Sequence, residues 1–411
     1  MGRRNKNGCY HCGGDHRAKD CPMTRCSVCG ESGHNYGSCP QKPQPEVDMG
    51  SFSPLPEFAT FRYIELFAGI GGFRVALNRL GGHCVFSSEI DRFARRNYTL
   101  NHGDRPAGDI TKISEDNIPD HDMLVGGFPC QPFSFSGERK GFDDDRGVLF
   151  LEISRILTAK QPKLLLLENV RGLLTHDDGR TLATILTKLE ECGYNIKYEV
   201  LDAVHIVPQE RKRIYLAGIR KDIVADFVFP VIPTLSRGFK DIEQINLDTV
   251  ELERLELSEH QLSKVRSQSY TERFPEARFL SDVTKPTKTI QSSYTKYLVG
   301  SQFVPVKGKV NQWRRLSPRE AARLQGFPES FQLCQERPYH LLGNAVVPGL
   351  VALVSAPLLQ LGGFSITKEK NGANHDVTHD KAGIETAKSL ILDATPDDRR
   401  RCEVSSALNR I

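Results

Sequence analysis

One cysteine of this sequence stands in a setting that suits nucleophilic chemistry. Cys130 lies in the run Gly126-Gly127-Phe128-Pro129-Cys130-Gln131-Pro132-Phe133-Ser134, directly after a β-rich stretch and between two prolines. The prolines restrict the backbone on both sides of the thiol, and a cysteine that is only a small buried hydrophobe does not need such a loop. Cys130 is therefore the first candidate for a covalent catalyst.

Charged residues stand at the ends of two further predicted strands. Glu168, in Glu168-Asn169-Val170, ends an apolar strand, and the run Gln209-Glu210-Arg211-Lys212-Arg213 sets two arginines on one face just before another. A carboxyl group and guanidinium groups can move a proton and stabilise developing negative charge. The simpler alternatives are a helix cap for Glu168 and an ion pair within the sheet for Arg213.

A glycine-rich turn between a strand and a helix predicts a nucleotide-like ligand. In Phe67-Ala68-Gly69-Ile70-Gly71-Gly72 the glycines let backbone amides approach such a ligand closely. Glu89 follows Gly71 by 18 residues, at the end of the next predicted strand, where a carboxylate reaches ribose hydroxyls. We expect Asp109 to end a third strand, near an adenine. The alternative is a sheet turn with helix-capping acids.

Six of the 11 cysteines lie in the first 40 residues, where they form two Cys/His units. Cys26, Cys29, His34 and Cys39 place three thiolates and one imidazole within 14 residues, enough for a tetrahedral zinc site. The first unit has the same layout with one residue fewer before its histidine, so His11 competes with His16; its ligands are Cys9, Cys12, His16 and Cys21. We predict two structural Zn²⁺ ions whose binding folds this short segment.

Both units resemble the zinc knuckle of retroviral nucleocapsids and many RNA-binding proteins. Residues 1–43 contain seven Lys or Arg against three Asp or Glu, so they carry +4, which equals the net charge of the whole chain. Basic residues and exposed rings such as Tyr10 and Tyr36 favour binding of single-stranded DNA or RNA. A purely protein-binding role is the alternative, because some zinc modules bind nucleic acids and others bind proteins.

Strands alternate with amphipathic helices from Arg62 to about Ala217, which predicts a doubly wound, mostly parallel sheet. This alternation of strands and helices is missing between about Asp222 and Val310, where we expect a smaller domain. It returns at Ser317-Pro318-Arg319-Glu320, a helix start with a capping box, and at the apolar stretch Val346–Leu361. The proline-rich segment from Pro40 to Pro56 is typical of a linker. We expect the core to begin near Phe58.

The catalytic candidates and the glycine-rich turn, in this order, closely resemble the cytosine-5 DNA methyltransferase family. The resemblance extends over about Phe61 to Leu361 and includes Arg146-Gly147, Leu149, the run from Arg315 to Glu320, the run from Leu324 to Pro328, and Gly343-Asn344-Ala345-Val346. It implies an α/β fold, namely a Rossmann-like class I S-adenosylmethionine-dependent methyltransferase with a smaller target-recognition domain, to which the two Cys/His units add N-terminal zinc knuckles. The expected divisions are residues 1–43 (tandem CCHC zinc knuckles), 44–57 (linker), 58–221 (catalytic, first part), 222–310 (target recognition), 311–362 (return to the catalytic domain) and 363–411 (flexible tail).

The resemblance also implies the chemistry. Cys130 adds to carbon 6 of a flipped-out cytosine so that carbon 5 can accept the methyl group, Glu168 contacts the ring's imino and amino edge, and Arg211 and Arg213 hold the base and the cysteine loop. In the family the S-adenosyl-L-methionine pocket corresponds to Phe67, Gly69, Ile70, Gly71, Gly72, Glu89, Ile90, Asp109, Ile110, Pro129, Leu149, Asn344 and Val346.

Double-stranded DNA is the expected substrate. One branch of the family methylates transfer RNA and carries a Cys-Phe-Thr tripeptide in the region corresponding to residues 222–310, whereas this sequence has no cysteine between Cys192 and Cys334. RNA methylation remains an alternative because zinc knuckles often bind RNA, and an inactive nucleic-acid-binding adaptor is a third. Mean hydropathy is −0.39 and Arg3 and Arg4 precede no apolar run, so we expect an intracellular protein without membrane contact. If the source is eukaryotic, we expect it in the nucleus. We also expect a monomer.

Overall fold

The computed structural model describes residues 47–54, 56, 59–129, 148–232, 236–244, 247–267, 278–296 and 301–366. Cys130 and the eight Cys and His residues of the two predicted zinc sites lie outside these ranges. From Asp48 onward the described chain belongs to one compact unit. Because Asp48 is already hydrogen-bonded to the core, the core begins about ten residues earlier than the sequence suggested.

A six-stranded sheet with the order β2-β1-β3-β4-β7-β5 forms the centre of the protein. Its strands are β1 (Phe61–Leu66), β2 (Gly82–Ser88), β3 (Met123–Gly127), β4 (Leu164–Val170), β5 (Tyr194–Asp202) and β7 (Lys212–Arg220). Neighbouring strands from β2 to β4 are parallel, and β7 is antiparallel to both β4 and β5. Five of the six strands therefore share one direction, as a mostly parallel sheet requires. The strand β5 was not predicted, because its alternating polar residues are half-exposed at the sheet edge.

Helices cover both faces of the sheet. The helices of the described chain are α1 (Gly72–Arg79), α2 (Arg92–His102), α3 (Val148–Lys160), α4 (Arg180–Glu191), α5 (Thr249–Leu255), α6 (Glu259–Arg266), α7 (Pro318–Leu324), α8 (Pro338–Asn344) and α9 (Pro348–Leu361). Alternate residues of each strand point to opposite faces, so Tyr63 packs with α1 and α9 whereas Ile64 packs with α3 and α4. The two resulting apolar layers hold the central strands rigidly.

Two of the late helices, α7 and α9, begin where the sequence predicted. Ser317 Oγ accepts a hydrogen bond from the Glu320 amide at 3.1 Å, and the Glu320 side chain accepts one from the Ser317 amide at 2.8 Å, which confirms the capping box of α7. Pro348 occupies the first turn of α9, and this helix is buried on nearly every side. Pro338–Leu361 is long and apolar enough to cross a membrane by composition alone, but 83% of its apolar window is buried inside the protein, as in a core helix.

Within residues 222–310, the described chain contains the short helices α5 and α6 and few strands. β8 (Thr287–Lys288) pairs in parallel with β6 (Gln209–Glu210), and β9 (Val304–Pro305) pairs with β10 (Trp313–Arg314). Part of this region packs against Leu316 and Leu324 and against Ile70 of the glycine-rich turn. The region is thus joined to the catalytic part through a shared apolar cluster.

The expected third strand ending at Asp109 is absent from the described chain. A one-residue parallel bridge joins Ala107 to Ser88 instead, and the third strand in sequence is β3. Pro106 cannot donate a ladder hydrogen bond and Gly108 weakens strand pairing, so the segment cannot extend into a strand. Among the described residues no group of three or more His, Cys, Asp and Glu side chains is arranged to hold a metal ion.

Candidate active site

The glycine-rich turn lies between β1 and α1 and forms one wall of a pocket. Phe67, Gly69 and Gly71 all have positive φ, of 55°, 56° and 86°. A side chain at Gly71 would place its Cβ 2.2 Å from Nε2 of His102, so this position requires glycine. The turn can therefore bring backbone amides close to a ligand without side chains in between.

Glu89 fastens this turn to the end of β2. Its Oε2 accepts a hydrogen bond from the Gly69 amide at 2.8 Å, and its Oε1 accepts one from the Asp91 amide at 2.7 Å. Burial raises the pKa of Glu89, and these backbone hydrogen bonds oppose the increase. A carboxylate has about four lone-pair sites, so Glu89 can still accept a hydrogen bond from a ligand hydroxyl.

Two further residues edge the pocket beside Glu89. The side chain of Ile90 is 73% exposed although it is large and apolar, so it offers a flat surface to a ring. Asp109 Oδ1 accepts hydrogen bonds from the amide and the hydroxyl of Thr111, at 3.1 and 2.8 Å. The sequence-predicted residues that line the pocket are Phe67, Gly69, Ile70, Glu89, Ile90, Asp109, Ile110, Pro129, Leu149 and Asn344.

A buried ion pair lies in the same pocket. Glu168 and Arg213 stand on adjacent antiparallel strands, with 3.1 Å between Glu168 Oε1 and Arg213 Nε. Burial raises the pKa of Glu168, while the positive charges of Arg213 and Arg211 act in the opposite direction. A carboxyl group in this environment can hold a proton at a pH where an exposed glutamate has lost it.

Arg211 is also buried, and its guanidinium donates hydrogen bonds to three backbone carbonyls. Nη1 donates to the carbonyl of Ile290 at 3.2 Å, and Nη2 donates to the carbonyls of Gly343 and Ala345 at 2.9 and 2.7 Å. Burial lowers the pKa of Arg211 to about 9, so the side chain remains charged at neutral pH. Arg211, directly before β7, is thus joined to Ile290 and to the end of α8.

The last described residues before Cys130 also belong to the pocket. Asn169 Nδ2 donates to the carbonyl of Phe128 at 3.0 Å and so fixes the chain just after β3. Pro129 follows at the pocket surface. The chain therefore enters the undescribed residues 130–147 from the pocket wall, next to Glu168.

Three predicted cofactor residues do not line the pocket. Gly71 and Gly72 lie behind the turn, where a Cβ on Gly72 would come within 2.6 Å of Cγ2 of Val346, which is itself buried. These residues allow the turn and the segment after α8 to pack closely. Sequence reasoning missed His340 and Leu341, which α8 brings to the pocket, although Pro338 at its first turn signals the helix.

The assembled pocket has a cavity volume of about 530 Å³ and lies at the carboxyl ends of β1 to β4. A doubly wound sheet with a glycine-rich first turn and a ligand pocket at this edge is the arrangement of the α/β methyltransferase class. The crystal structure of S. pombe Dnmt2 methyltransferase matches this fold with a TM-score of 0.58 at 22% identity, covering 73% of this chain and 98% of that one.

Residues 61–358 match the model of the family described as C-5 cytosine-specific DNA methylase, and the chain belongs to this family, that of the DNA (cytosine-5-)-methyltransferases. Type II methyltransferase M1.ScrFI of Lactococcus lactis subsp. cremoris is 39% identical over 344 residues, 80% of this chain and 86% of that protein. Type II methyltransferase M.HhaI of Haemophilus parahaemolyticus is 37% identical over 308 residues, 72% of this chain and 93% of that protein. The family resemblance is confirmed, while the Cys/His segment precedes the matched residues.

Proposed function

We propose that this enzyme transfers a methyl group from S-adenosyl-L-methionine to carbon 5 of a flipped-out cytosine in double-stranded DNA, through a covalent adduct with Cys130. The observation that supports this most is the buried Glu168–Arg213 pair, which shares one pocket with the glycine-rich turn. The Glu168 carboxyl group, which can hold a proton, and the glycine-rich turn thus face the same pocket. Since the target atom is hidden within a duplex, the base must leave the stack to reach it.

The residues around the pocket suit S-adenosylmethionine. Phe67 and Ile90 offer apolar surfaces for the adenine, Glu89 and Asp109 offer carboxylates for hydroxyl and amino groups, and Gly69 leaves room for the methionine part. The bound cofactor supplies an electrophilic methyl group on a sulfonium. The acidic side chains at this edge also favour a ligand with positive charge.

Cys130 is the proposed nucleophile. Its thiolate forms a bond to carbon 6 of the cytosine, and the ring electrons move to carbon 5. Carbon 5 then bonds to the methyl group as the bond between that group and the sulfonium sulfur breaks, so S-adenosylhomocysteine is the leaving group. Removal of the proton from carbon 5 restores the double bond as the bond between carbon 6 and Cys130 breaks. The methylated base and the free thiolate are regenerated.

Glu168 is the proposed acid of this reaction. Addition of the thiolate pushes negative charge into the ring, and a proton from Glu168 to the ring nitrogen offsets it. The raised pKa of Glu168 favours the protonated form before the base binds. Arg213 pairs with the carboxyl group and is the proposed donor to the base carbonyl.

We propose a different role for Arg211. Its hydrogen bonds to Ile290, Gly343 and Ala345 favour a positioning role, in which it keeps the cofactor segment and the target-recognition region aligned with Arg213. Val346 and Gly72 act in the same way, through their packing behind the turn.

The Cys/His segment is proposed to add nucleic-acid affinity. Its eight ligands lie outside the described residues, and the support is the spacing of the ligands and the +4 charge of residues 1–43. We propose two structural Zn²⁺ ions and contact with single-stranded DNA or RNA. We also propose that the enzyme is intracellular and monomeric; the relatives are bacterial, so they give no support for a nucleus.

The experiment uses the purified full-length protein and labelled S-adenosylmethionine, with duplex DNA and transfer RNA as acceptors. We expect label on carbon 5 of cytosine in DNA and covalent trapping by DNA that contains 5-fluorocytosine. Cys130→Ser is expected to abolish both, whereas Cys192→Ser, at a half-buried thiol beside Ser154, is the matched control. Full activity in Cys130→Ser would refute the mechanism, and label in RNA alone would refute the substrate.

A further inference from the structure

The segment that enters the catalytic core from the N-terminal side is bound to the core before the family region begins at residue 61. We define residues 48–53 as the strap. Ser51 forms an antiparallel bridge with Arg105, through amide-to-carbonyl hydrogen bonds of 2.8 and 2.9 Å. Phe52 packs against Phe86 of β2, with 5.5 Å between ring centroids. The strap therefore behaves as part of the core rather than as a free linker.

Asp48 connects the strap to two neighbouring elements. Its carboxylate accepts hydrogen bonds from Arg95 of α2 and from Arg105, the latter at 2.8 Å. Its backbone carbonyl accepts the Gly108 amide at 2.7 Å. Gly108 and Asp109 line the pocket, and α2 starts just after two other lining residues, Ile90 and Asp91. Asp48 thus holds both elements that carry this side of the pocket.

Gly50 allows the strap to approach this closely. Its φ is +74°, and a Cβ there would lie 2.4 Å from the carbonyl oxygen of Arg105 and 2.6 Å from the amide nitrogen of Ala107. Any side chain at residue 50 must push the strap away from residues 105–107. Those residues in turn hydrogen-bond to β2, since the Ala107 amide donates to Ser87 at 2.8 Å.

The other end of the strap is tied to the glycine-rich turn. The Ser53 amide donates to Asp104 Oδ1 at 2.7 Å, and Oδ2 of the same carboxylate pairs with the buried guanidinium of Arg74 in α1. Because α1 starts at the end of the glycine-rich turn, the strap is linked to both walls of the pocket.

We propose that the strap holds the Gly108–Ile110 wall of the S-adenosylmethionine pocket in place, with Asp48 and Gly50 as its positioning residues. This role rests on the proposed function of the pocket. Neither residue lines the pocket, so their loss should change cofactor affinity and leave the methyl transfer itself intact.

The test uses full-length Asp48→Ala, Asp48→Glu and Gly50→Ala. Two controls match them: Asp120→Ala removes an ion pair with Lys160 at an exposed site, and Gly363→Ala has a similar φ of +83° with no atom within 4 Å of the added Cβ. Calorimetry gives the dissociation constant of S-adenosylhomocysteine, and initial rates give kcat and the KM for cofactor and for DNA.

Asp48→Ala and Gly50→Ala are expected to weaken cofactor binding roughly fivefold, as for the loss of a partly exposed paired charge, with kcat and the KM for DNA within about twofold of wild type. Asp48→Glu should recover part of the affinity. Unchanged cofactor affinity in both alanine variants, or an equal loss of kcat and DNA affinity, refutes the strap's role alone. A wild-type enzyme that does not bind S-adenosylhomocysteine refutes the proposed function as well.

Discussion

Glu168 and Arg213 form a buried pair on adjacent antiparallel strands, with 3.1 Å between the carboxylate oxygen Oε1 and the guanidinium nitrogen Nε. The two residues are 45 positions apart in the sequence and meet because β7 runs against β4. The beginning of β7 therefore lies at the same sheet edge as the end of β4. A carboxyl group and a guanidinium group are brought to one side of the pocket in this way.

We expect Glu168→Gln to lower kcat by about 100-fold or more, because an amide cannot donate the proton that the ring nitrogen takes up. The protonated carboxyl is the active form, so the wild-type rate should fall as pH rises through the raised pKa of Glu168. This alkaline decline should be missing in Glu168→Gln. The exposed Glu191→Gln serves as the control in the same pH–rate series. An unchanged rate in Glu168→Gln contradicts the assignment.

Arg211→Lys and Arg213→Lys should separate positioning from catalysis. A lysine at 211 cannot reach three carbonyls, and each buried carbonyl left unpaired costs about 1–3 kcal/mol, so we expect a fall of about 2–4 kcal/mol in the free energy of unfolding. A lysine at 213 keeps the positive charge beside Glu168, so stability should change by less than about 1 kcal/mol while kcat falls. Urea unfolding and steady-state kinetics measure both. The opposite pattern would reverse the two roles.

Much of this site followed from the sequence because its residues stand at the ends of strands. Glycines at 69 and 71, Glu89 and Glu168 could be placed at one sheet edge from the alternation of strands and helices alone. The direction of β7 could not be predicted in this way, because periodicity indicates which face of the sheet a residue lies on and not which way the strand runs. The strap was missed because prolines and polar residues before Phe58 are typical of a linker, and because its partners Arg95 and Arg105 lie about 50 residues further along the chain.

Glu65 should make stability depend on pH. It is fully buried beneath the glycine-rich turn, and burial raises its pKa to about 8. Between about pH 5 and 8 the folded chain then binds more protons than the unfolded chain, so stability should fall with rising pH and level off above pH 8. We expect a loss of more than about 1 kcal/mol between pH 6 and 9 in urea unfolding.

Glu65→Gln removes the titrating group, so its stability should vary less over this range than that of the wild type. Glu199→Gln, at an exposed position of β5, should keep the wild-type dependence. Equal pH dependence in Glu65→Gln and wild type would show that other groups cause it.

The Cys/His segment should bind two Zn²⁺ ions per chain by elemental analysis. Cys26→Ala is expected to leave one, because three protein ligands do not close a structural site. Zinc removal by a chelator should weaken binding to single-stranded oligonucleotides and reduce the salt dependence of that binding, since the basic residues lose their arrangement. Cys402→Ala is the control. Fewer than two ions in the wild type, or unchanged affinity after chelation, contradicts this part of the proposal.

The close contact between Gly72 and Val346 has a consequence for how the protein is made. The two residues are 274 positions apart, and a Cβ on Gly72 would reach within 2.6 Å of Val346. A ribosome releases the glycine-rich turn long before the segment that packs behind it, and contacts so distant in sequence form late. The newly made chain should therefore bind the cofactor only when its synthesis is nearly complete. We expect mRNAs truncated before the codon for Val346 to yield chains that do not bind the cofactor.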